Sequence, residues 1–495
     1  MVKLCDQAYQ KIEETRNLNA FITLKSREEA LQEAEKLDKE YQNVSAEDYP
    51  LYGVPISIKD NFCTSQMLTT CGSRMLHNYI PPYDATIVKK LKQSRCLITG
   101  KTNMDEFAMG SSCTTSYYGM AANPLKMELM QGKLPMDCDP NNWYMAGGSS
   151  TGSAISVASG ACFASIGTDT GGSTRQPASL TGIVGFKPTY GLISRFGLVP
   201  LAHCLDVVSL LARSVEDIEC VFNLVIGQDE NDLTTVDHKK ELKTNIGNLK
   251  GQTIRVGIPE KFVSSSEMDQ DVSDQYQKLI ESLSHSDEFE GTKFQIVKID
   301  LPHSDVATEC YTIITSSEIS SNMSCYDGIK YGYSTEVPQE FDRDDFFKAN
   351  RDAAFGLEVK KRILLGNYFV LEDNRDKYLV HAQKVRTLIS QDFSNVFERD
   401  GCHVILLPST PTTSITYDEW LSKQDENKLF REDYFLIPAN LANCPSISLP
   451  SGPSPKSGLP IGMQLVANKF HDLDLLKIAK FMEQNVFCET KRPGK

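Results

Sequence analysis

Several features that would place a 495-residue chain quickly are missing from this one. Its 14 cysteines include no CxxC pair and no Cys/His quartet at zinc spacing, so neither a disulfide framework nor a structural metal is expected and reduced thiols in an intracellular compartment are the default. No run approaches the ~18 uninterrupted apolar residues of a membrane span, so the expectation is a soluble protein with no membrane partner. Basic residues are in deficit: 51 Lys+Arg against 65 Asp+Glu give a formal charge of −14, which repels phosphate backbones and disfavours direct nucleic-acid binding. The N-terminus carries Asp6, Glu13 and Glu14 and has neither an apolar signal core nor the acid-poor, Arg-rich character of a transit peptide.

What remains is an ordinary globular composition, 40% hydrophobic and 23% charged, with 31 Gly and 22 Pro. The length suits roughly two to four domains of common size or one unusually large one. No repeat or linker divides the chain, so one large domain over residues 1–495 is expected.

Residues 23–48 are charge-rich with apolar or small residues at helical spacing, Ala30, Leu31, Ala34 and Leu37, which predicts an amphipathic surface helix. Residues 52–60 alternate instead, with Val54, Ile56 and Ile58 on one face and Pro55, Ser57 and Lys59 on the other. Lys59 is thereby placed at a strand end, turned away from the aliphatic side. Residues 84–98 read as a short helix feeding a strand, and residues 102–112 as a helical turn ending in small residues. Further on, residues 253–258 and 294–301 alternate as strands around a helix whose apolar face is Val272, Tyr276, Leu279, Ile280 and Leu283. Residues 404–407 and 447–449 read as strands, and 473–487 as a terminal helix. This repeated alternation predicts an α/β layer fold. Residues 125–144, rich in Met, Pro and Asp and without periodicity, read as a surface insertion.

The composition shifts over residues 141–213, which hold six charged residues in 73, with 11 glycines and 10 serines. Flexible linkers are also Gly/Ser-rich, but this segment interleaves Ile155, Val157, Phe163, Ile166, Ile183, Val184 and Phe186, which makes it a buried, tightly turned centre. The catalytic core is expected over about residues 52–213.

Two familiar patterns fail on inspection. Gly100-Lys101-Thr102 looks like the end of a phosphate loop, but Arg95 stands where GxxxxGK[ST] requires its first glycine. Gly148-Ser149-Ser150-Thr151-Gly152 satisfies the GxSxG nucleophile elbow with Ser150 at its centre, which needs an acid and then a histidine downstream. The histidines, among them His303, His381 and His403, lie in no glycine-rich or strand-end context, and a lone histidine is more often structural or solvated. Paired-carboxylate or metal hydrolysis finds only Asp169 and Asp206 in the charge-poor centre, and no HExxH.

A stronger constellation is Gly147-Gly148-Ser149-Ser150-Thr151-Gly152-Ser153, then Gly167-Thr168-Asp169-Thr170-Gly171-Gly172-Ser173-Thr174-Arg175-Gln176-Pro177, with Val54-Pro55-Ile56-Ser57-Ile58-Lys59-Asp60 upstream. It resembles the amidase signature family, whose pattern is a GGSSGGS loop, a GxDxGGSxRxPA loop 24 residues on, and a lysine ending a VPxxxKD strand. An isolated serine in a glycine-rich turn is usually only a turn residue and a strand-end lysine is usually solvated; the joint spacing overrides both. The resemblance implies a single amidase-signature domain with a mixed central β-sheet covered by helices on both faces. It also implies Ser173 as nucleophile, Ser149 as proton-relaying bridge after a cis peptide bond that suits Gly148, and Lys59 as base. A lysine with an ordinary pKa of ~10.4 is no base at neutral pH unless burial favours its neutral form, and a charge-poor Gly/Ser pocket supplies that desolvation. Gly171 and Gly172 allow close backbone approach, so the N–H groups of Thr170, Gly171, Gly172 and Ser173 can point into one oxyanion hole. Thr151 stands where the family has glycine, a departure expected to be tolerated.

Within the family, relatives cleave different amides. From Leu18-Asn19-Ala20-Phe21-Ile22-Thr23 to the terminal helix the chain is similar to one branch, the A subunits of glutamyl-tRNA(Gln) amidotransferases, through residues 101–111, 185–191, 316–322 and 383–389. A free glutamine needs a cation for its α-carboxylate and an anion for its α-ammonium. At the branch's positions Arg362 would hold the first and Asp433 the second, although alone they read as a surface-helix arginine and a helix-start acid. A fatty-amide hydrolase would instead show an apolar acyl channel and a membrane-binding segment. The branch implies a glutaminase subunit with no cofactor or metal of its own. Its ammonia would pass to a B-type partner that binds ATP and Mg²⁺ and amidates Glu-tRNA(Gln), with a small C-type subunit clamping the pair. A stand-alone amidase of broader substrate range is the alternative, and intact Lys59, Ser149 and Ser173 disfavour a silent scaffold. The insertion is similar to that of animal mitochondrial members and points to the mitochondrial matrix; the short N-terminus is expected to lack the family's usual first helix.

Overall fold

Strand β2 (Pro55–Lys59) shows how the sheet divides the core. Ile56 and Ile58 turn to one face and join Ile87, Val88 and Leu91 of the Thr86–Gln93 helix and Phe222 of the Val215–Val225 helix. Ser57 turns to the other, where its hydroxyl meets Ser156 Oγ of the Thr151–Ala158 helix at 2.9 Å and donates to Ser165 Oγ at 2.8 Å. Strand period therefore places aliphatics under one helical layer and small polar residues under the other. The same alternation in β6 (Val207–Ala212) sends Leu210 and Ala212 to the first face and Leu211 to the second, where it packs on Ala154 and Ala178.

The computed structural model describes residues 1–41, 49–247, 249–264, 268–285, 289, 291–335, 342–423 and 431–487. Among these, the remaining strands are β1 (Phe21–Leu24), β3 (Leu97–Thr102), β4 (Ala164–Asp169), β5 (Val184–Lys187), β7 (Thr253–Ile258), β8 (Lys293–Lys298), β9 (Val404–Pro408), β10 (Ser446–Pro453) and β11 (Pro460–Val466). All join one sheet in the order β1-β3-β2-β4-β6-β5-β10-β11-β9-β7-β8. It is mixed: β3, β2 and β4 run parallel, as do β9, β7 and β8, while the intervening pairs from β4 to β9 and the edge pair β1/β3 are antiparallel. The α/β fold with helices on both faces is thus the observed one.

The charge-poor centre resolves into β4, β5, β6 and the helices Thr151–Ala158 and Arg175–Thr181, all buried. Periodicity could not separate these, because small residues buried on every side leave no polar face to mark a period.

One expectation is corrected and two gain detail. A helix does open the chain, Val2–Glu14, with Cys5, Ala8, Tyr9 and Ile12 buried against the Arg27–Glu40 helix. The amphipathic segment forms that second helix, with Ala30, Ala34 and Leu37 inward; residues 42–48 lie outside the described residues. Most of the insertion is exposed or half-buried; it makes three single turns and is anchored by Met130 and Trp143, which are buried, the indole stacked on Tyr417 at 4.8 Å between ring centroids.

Candidate active site

The two motifs and Lys59 converge where the parallel strands β2 and β4 end. Lys59 closes β2 and is fully buried, with Nζ 2.7 Å from Ser149 Oγ and 2.7 Å from Thr168 Oγ1 on β4. Burial lowers the amine from 10.5 to about 7 against the opposing pull of the Asp105, Asp169 and Asp206 carboxylates. A neutral amine has one lone pair and two N–H bonds, so in this position it can take a proton from Ser149 while still donating to Thr168.

Gly148–Ser149 is a cis peptide bond. Its turn is wedged against the Asp105 loop, and a Cβ at Gly148 would lie 2.2 Å from Asp105 Oδ2, the oxygen that also accepts the Ser112 and Cys113 N–H groups at 3.2 and 2.9 Å. Gln176 closes the turn from the other side. Its Oε1 accepts the Gly148 N–H at 2.7 Å while Nε2 donates to the Ser111 carbonyl and to Glu432 Oε2, each at 3.2 Å. The departure at Thr151 is absorbed, since its hydroxyl donates to the Gly147 carbonyl.

Ser173 follows the turn after β4 and is partly exposed, in a pocket it shares with Met109, Tyr311, Arg362 and Asp433. Its carbonyl accepts the Ser150 N–H at 3.0 Å, which joins the Ser173 loop to the Ser149 turn. Asp169 holds that loop from beneath: Oδ1 accepts from Gly172 N–H at 3.0 Å, and Arg175 donates to both carboxylate oxygens at 2.9 Å. Burial alone would raise its pKa, but Arg175, with Asn440, holds the carboxyl well below the usual range. The Gly172 N–H, one of the expected oxyanion-hole amides, is engaged by Asp169 in this structure. Gly172 is nonetheless required as glycine: its φ is +138°, and a Cβ there would lie 2.7 Å from Asp433 Oδ1.

The two predicted substrate contacts arrive from distant segments. Arg362, on the Leu357–Val370 helix, is mostly buried with Nη1 2.9 Å from Glu358 Oε2. Asp433 ends the Arg431–Asp433 turn and is 6% exposed, and its Oδ1 has no hydrogen-bond partner among the described residues. Burial, reinforced by the Glu432 and Asp169 carboxylates, pushes its pKa well above the ordinary value. A buried carboxylate oxygen left without a donor is costly until a cation completes it. Arg362 and Asp433 on the same pocket therefore suit a zwitterion, whose ammonium would offset the burial and like charges that favour the neutral acid at Asp433.

Ser150 is fully buried; its hydroxyl donates to the Thr168 carbonyl at 3.1 Å and accepts the Thr168 N–H at 3.3 Å, so it pins β4 rather than facing a substrate. Lys101 is buried too, on the Phe62 carbonyl at 2.8 Å and Asp60 at 3.1 Å. His303 pairs with Asp392, His403 accepts the Arg255 N–H, and His381 lies exposed at the start of the His381–Glu398 helix; none completes an elbow triad. Sequence reasoning missed the roles of Thr168, Asp105 and Gln176, all inside quoted motifs, and of Tyr311, whose ring packs on Gly171 from the Ala307–Asn322 helix and which carried no signal beyond its place in a helical run.

Comparison with known proteins bears on the chain as a whole. The amidase family model matches residues 3–476. The chain is 40% identical over 487 residues to the A subunit of the mitochondrial glutamyl-tRNA(Gln) amidotransferase of Mus musculus, covering 98% of this chain and 90% of the relative. It is 42% identical over 482 residues to the A subunit of the Syntrophus aciditrophicus glutamyl-tRNA(Gln) amidotransferase, covering 96% and 92%. The crystal structure of the corresponding A subunit from Thermotoga maritima superposes with a TM-score of 0.74 at 34% identity, covering 98% of this chain and 91% of that one.

Proposed function

The chain belongs to the amidase family, and from that premise we propose that it is the glutaminase subunit of a glutamyl-tRNA(Gln) amidotransferase. Ser173 attacks the side-chain amide carbon of glutamine as its proton moves through Ser149 to Lys59. The oxyanion that forms is met by the backbone N–H groups of the Thr170–Gly171–Gly172–Ser173 loop, with Gly172 joining only if it releases Asp169. Return of the proton to the nitrogen expels ammonia, and water then cleaves the glutamyl ester by the same relay run in reverse. Arg362 holds the α-carboxylate and Asp433 the α-ammonium.

The observation that carries this reading is the buried contact of Lys59 Nζ with Ser149 Oγ, by a lysine that is half neutral near pH 7. The Asp433 oxygen without a donor supports a substrate bearing an ammonium group. The similarity to A subunits over nearly the whole chain supports the rest: ammonia passes to a B-type partner, where ATP and Mg²⁺ bind and through which tRNA is engaged, and a C-type subunit completes a heterotrimer. Several relatives are mitochondrial, and the matrix is the proposed compartment.

The test is labelling of the full chain, alone and with its B- and C-type partners, by an electrophilic glutamine analogue, followed by peptide mass spectrometry. An adduct on Ser173 that disappears in Arg362→Ala supports nucleophile and substrate together. Labelling of Ser150 instead would overturn the triad, and no labelling in the full complex would leave a non-glutamine amidase.

A further inference from the structure

One buried carboxylate outside the reacting groups joins the two walls of the Ser173 pocket. Ala108, Met109 and Gly110, which follow Glu106 in the Glu106–Ala108 turn and its continuation, form one wall; Arg362 comes from the other, on the Leu357–Val370 helix. Glu106 is 3% exposed. Its Oε1 accepts the Ser73 hydroxyl at 2.5 Å and its Oε2 accepts the Gly356 N–H at 2.8 Å. Gly356 is the N-cap of the Arg362 helix and has no side chain with which to cap it. The carboxylate thus reaches across some 250 positions of sequence to fill one of the amides a helix start leaves open, at the helix end that favours negative charge. The fit is close, since a Cβ at 356 would lie 2.2 Å from Glu106 Oε2. Burial raises this carboxyl to about 7 against the Ser73 and Gly356 hydrogen bonds, so the group is held where water would otherwise solvate it better.

We propose that Glu106 is a positioning residue for glutamine recognition: by joining Ser73 to Gly356 it fixes the Arg362 helix against the wall beside Ser173, and so sets the fit of the substrate's α-carboxylate. The inference rests on the glutaminase reading above. A guanidinium–carboxylate pair is sensitive to displacement of a fraction of an ångström, whereas the Lys59–Ser149–Ser173 group is held by other contacts.

The experiment is steady-state glutamine hydrolysis by the full chain in complex with its partner subunits. Glu106→Ala is expected to raise the KM for glutamine about tenfold with kcat within about twofold, the signature of lost uniform binding. Gly356→Ala, which crowds the same contact from the helix side, should do likewise, and the double variant should be no worse than either single one. Glu106→Gln should recover most of the affinity, because its amide oxygen can accept from Gly356 and its NH₂ can donate to Ser73. A fall in kcat at unchanged KM, or additive effects of the two alanines, overturns the proposal. If Glu106→Ala does not fold, an unmoved KM in Gly356→Ala overturns it equally. A wild-type complex that hydrolyses no glutamine defeats the proposed function itself, whereas normal glutamine use with unmoved KM in the variants defeats only the role of Glu106.

Discussion

Lys59→Met separates what this residue costs the fold from what it does for the chemistry. The amine falls from 10.5 to about 7 on burial. At roughly 1.4 kcal/mol per pH unit, this destabilises the folded chain at pH 7 by on the order of 4 kcal/mol relative to a residue that does not titrate. Methionine fills similar space without that cost but forfeits the hydrogen bonds to Ser149 and Thr168, worth about 1 kcal/mol each. The variant is therefore expected to be more stable than the parent at pH 7, by about 2 kcal/mol, and inactive.

The sign of the pH dependence makes the reasoning testable. From about pH 7 to 10.5 the unfolded lysine keeps a proton that the folded one has lost, so this group makes the parent more stable as pH rises. Methionine contributes no such slope. The advantage of the variant should be level below pH 7, close by roughly 1.4 kcal/mol per unit above it and vanish near pH 9. Paired urea titrations of parent and variant at several pH values between 6 and 9.5 read this difference directly, and other titrating groups cancel. A gap that does not change with pH, or that widens towards pH 9, would refute a buried lysine with a lowered pKa.

The same lowered pKa predicts that kcat/KM for glutamine rises about tenfold per unit at acid pH and levels off above about 7, as Lys59 becomes neutral; Lys59→Arg, charged at every accessible pH, should be as inactive as Lys59→Ala in the same assay. Ser150→Ala should keep glutaminase activity within about tenfold while losing roughly 1–2 kcal/mol of stability from its contacts with Thr168, and Ser173→Ala should abolish turnover at unchanged stability, a contrast read by pairing kinetics with thermal unfolding.

The parts of the molecule that were legible are those whose chemistry constrains consecutive residues. Alternation in residues 52–60 placed Lys59 at a strand end on the face away from Ile56 and Ile58, and it stands there. The strand at 253–258 and the Gln270–His285 helix carried period-2 and helical patterns and form as read, and the apolar run at 404–407 forms a strand over Val404–Pro408. By contrast β11 was missed, although it fills the position between β10 and β9, because Pro460, Gly462 and Gln464 interrupt its aliphatic run; Gln464 is buried there for a long-range reason, donating to the Phe435 carbonyl and accepting from Arg175. The opening helix was missed as well. Its buried residues Cys5, Ala8, Tyr9 and Ile12 do recur at helical spacing, but they are few and of mixed character, and they pack against the Arg27–Glu40 helix.

The site divides along the same line. Ser149, Thr168, Asp169, Ser173 and Arg175 lie within one stretch of chain, where a proton relay imposes close spacing on glycine and serine so that local motifs can announce it, and Lys59, 90 positions upstream of Ser149, carries a strand-end motif of its own. Arg362 and Asp433 are single charges on a helix and a turn far downstream, and only a resemblance singled them out. Their significance comes from the pocket, where Asp433 Oδ1 lacks a donor among the described residues and lies close to Gly172. On the proposed reading, substrate choice rests on segments distant in sequence that contacts tie to the relay, as Arg175 does through the Leu436 carbonyl and Asn440. Gln176, bonded at once to the Gly148 turn and to Glu432 beside Asp433, ties the side proposed for the ammonium. Glu106, bonded to Ser73 and to the start of the Arg362 helix, ties the carboxylate side. Neither residue stands out in sequence, since a buried amide and a buried carboxyl are recognisable only by the partners that folding brings to them.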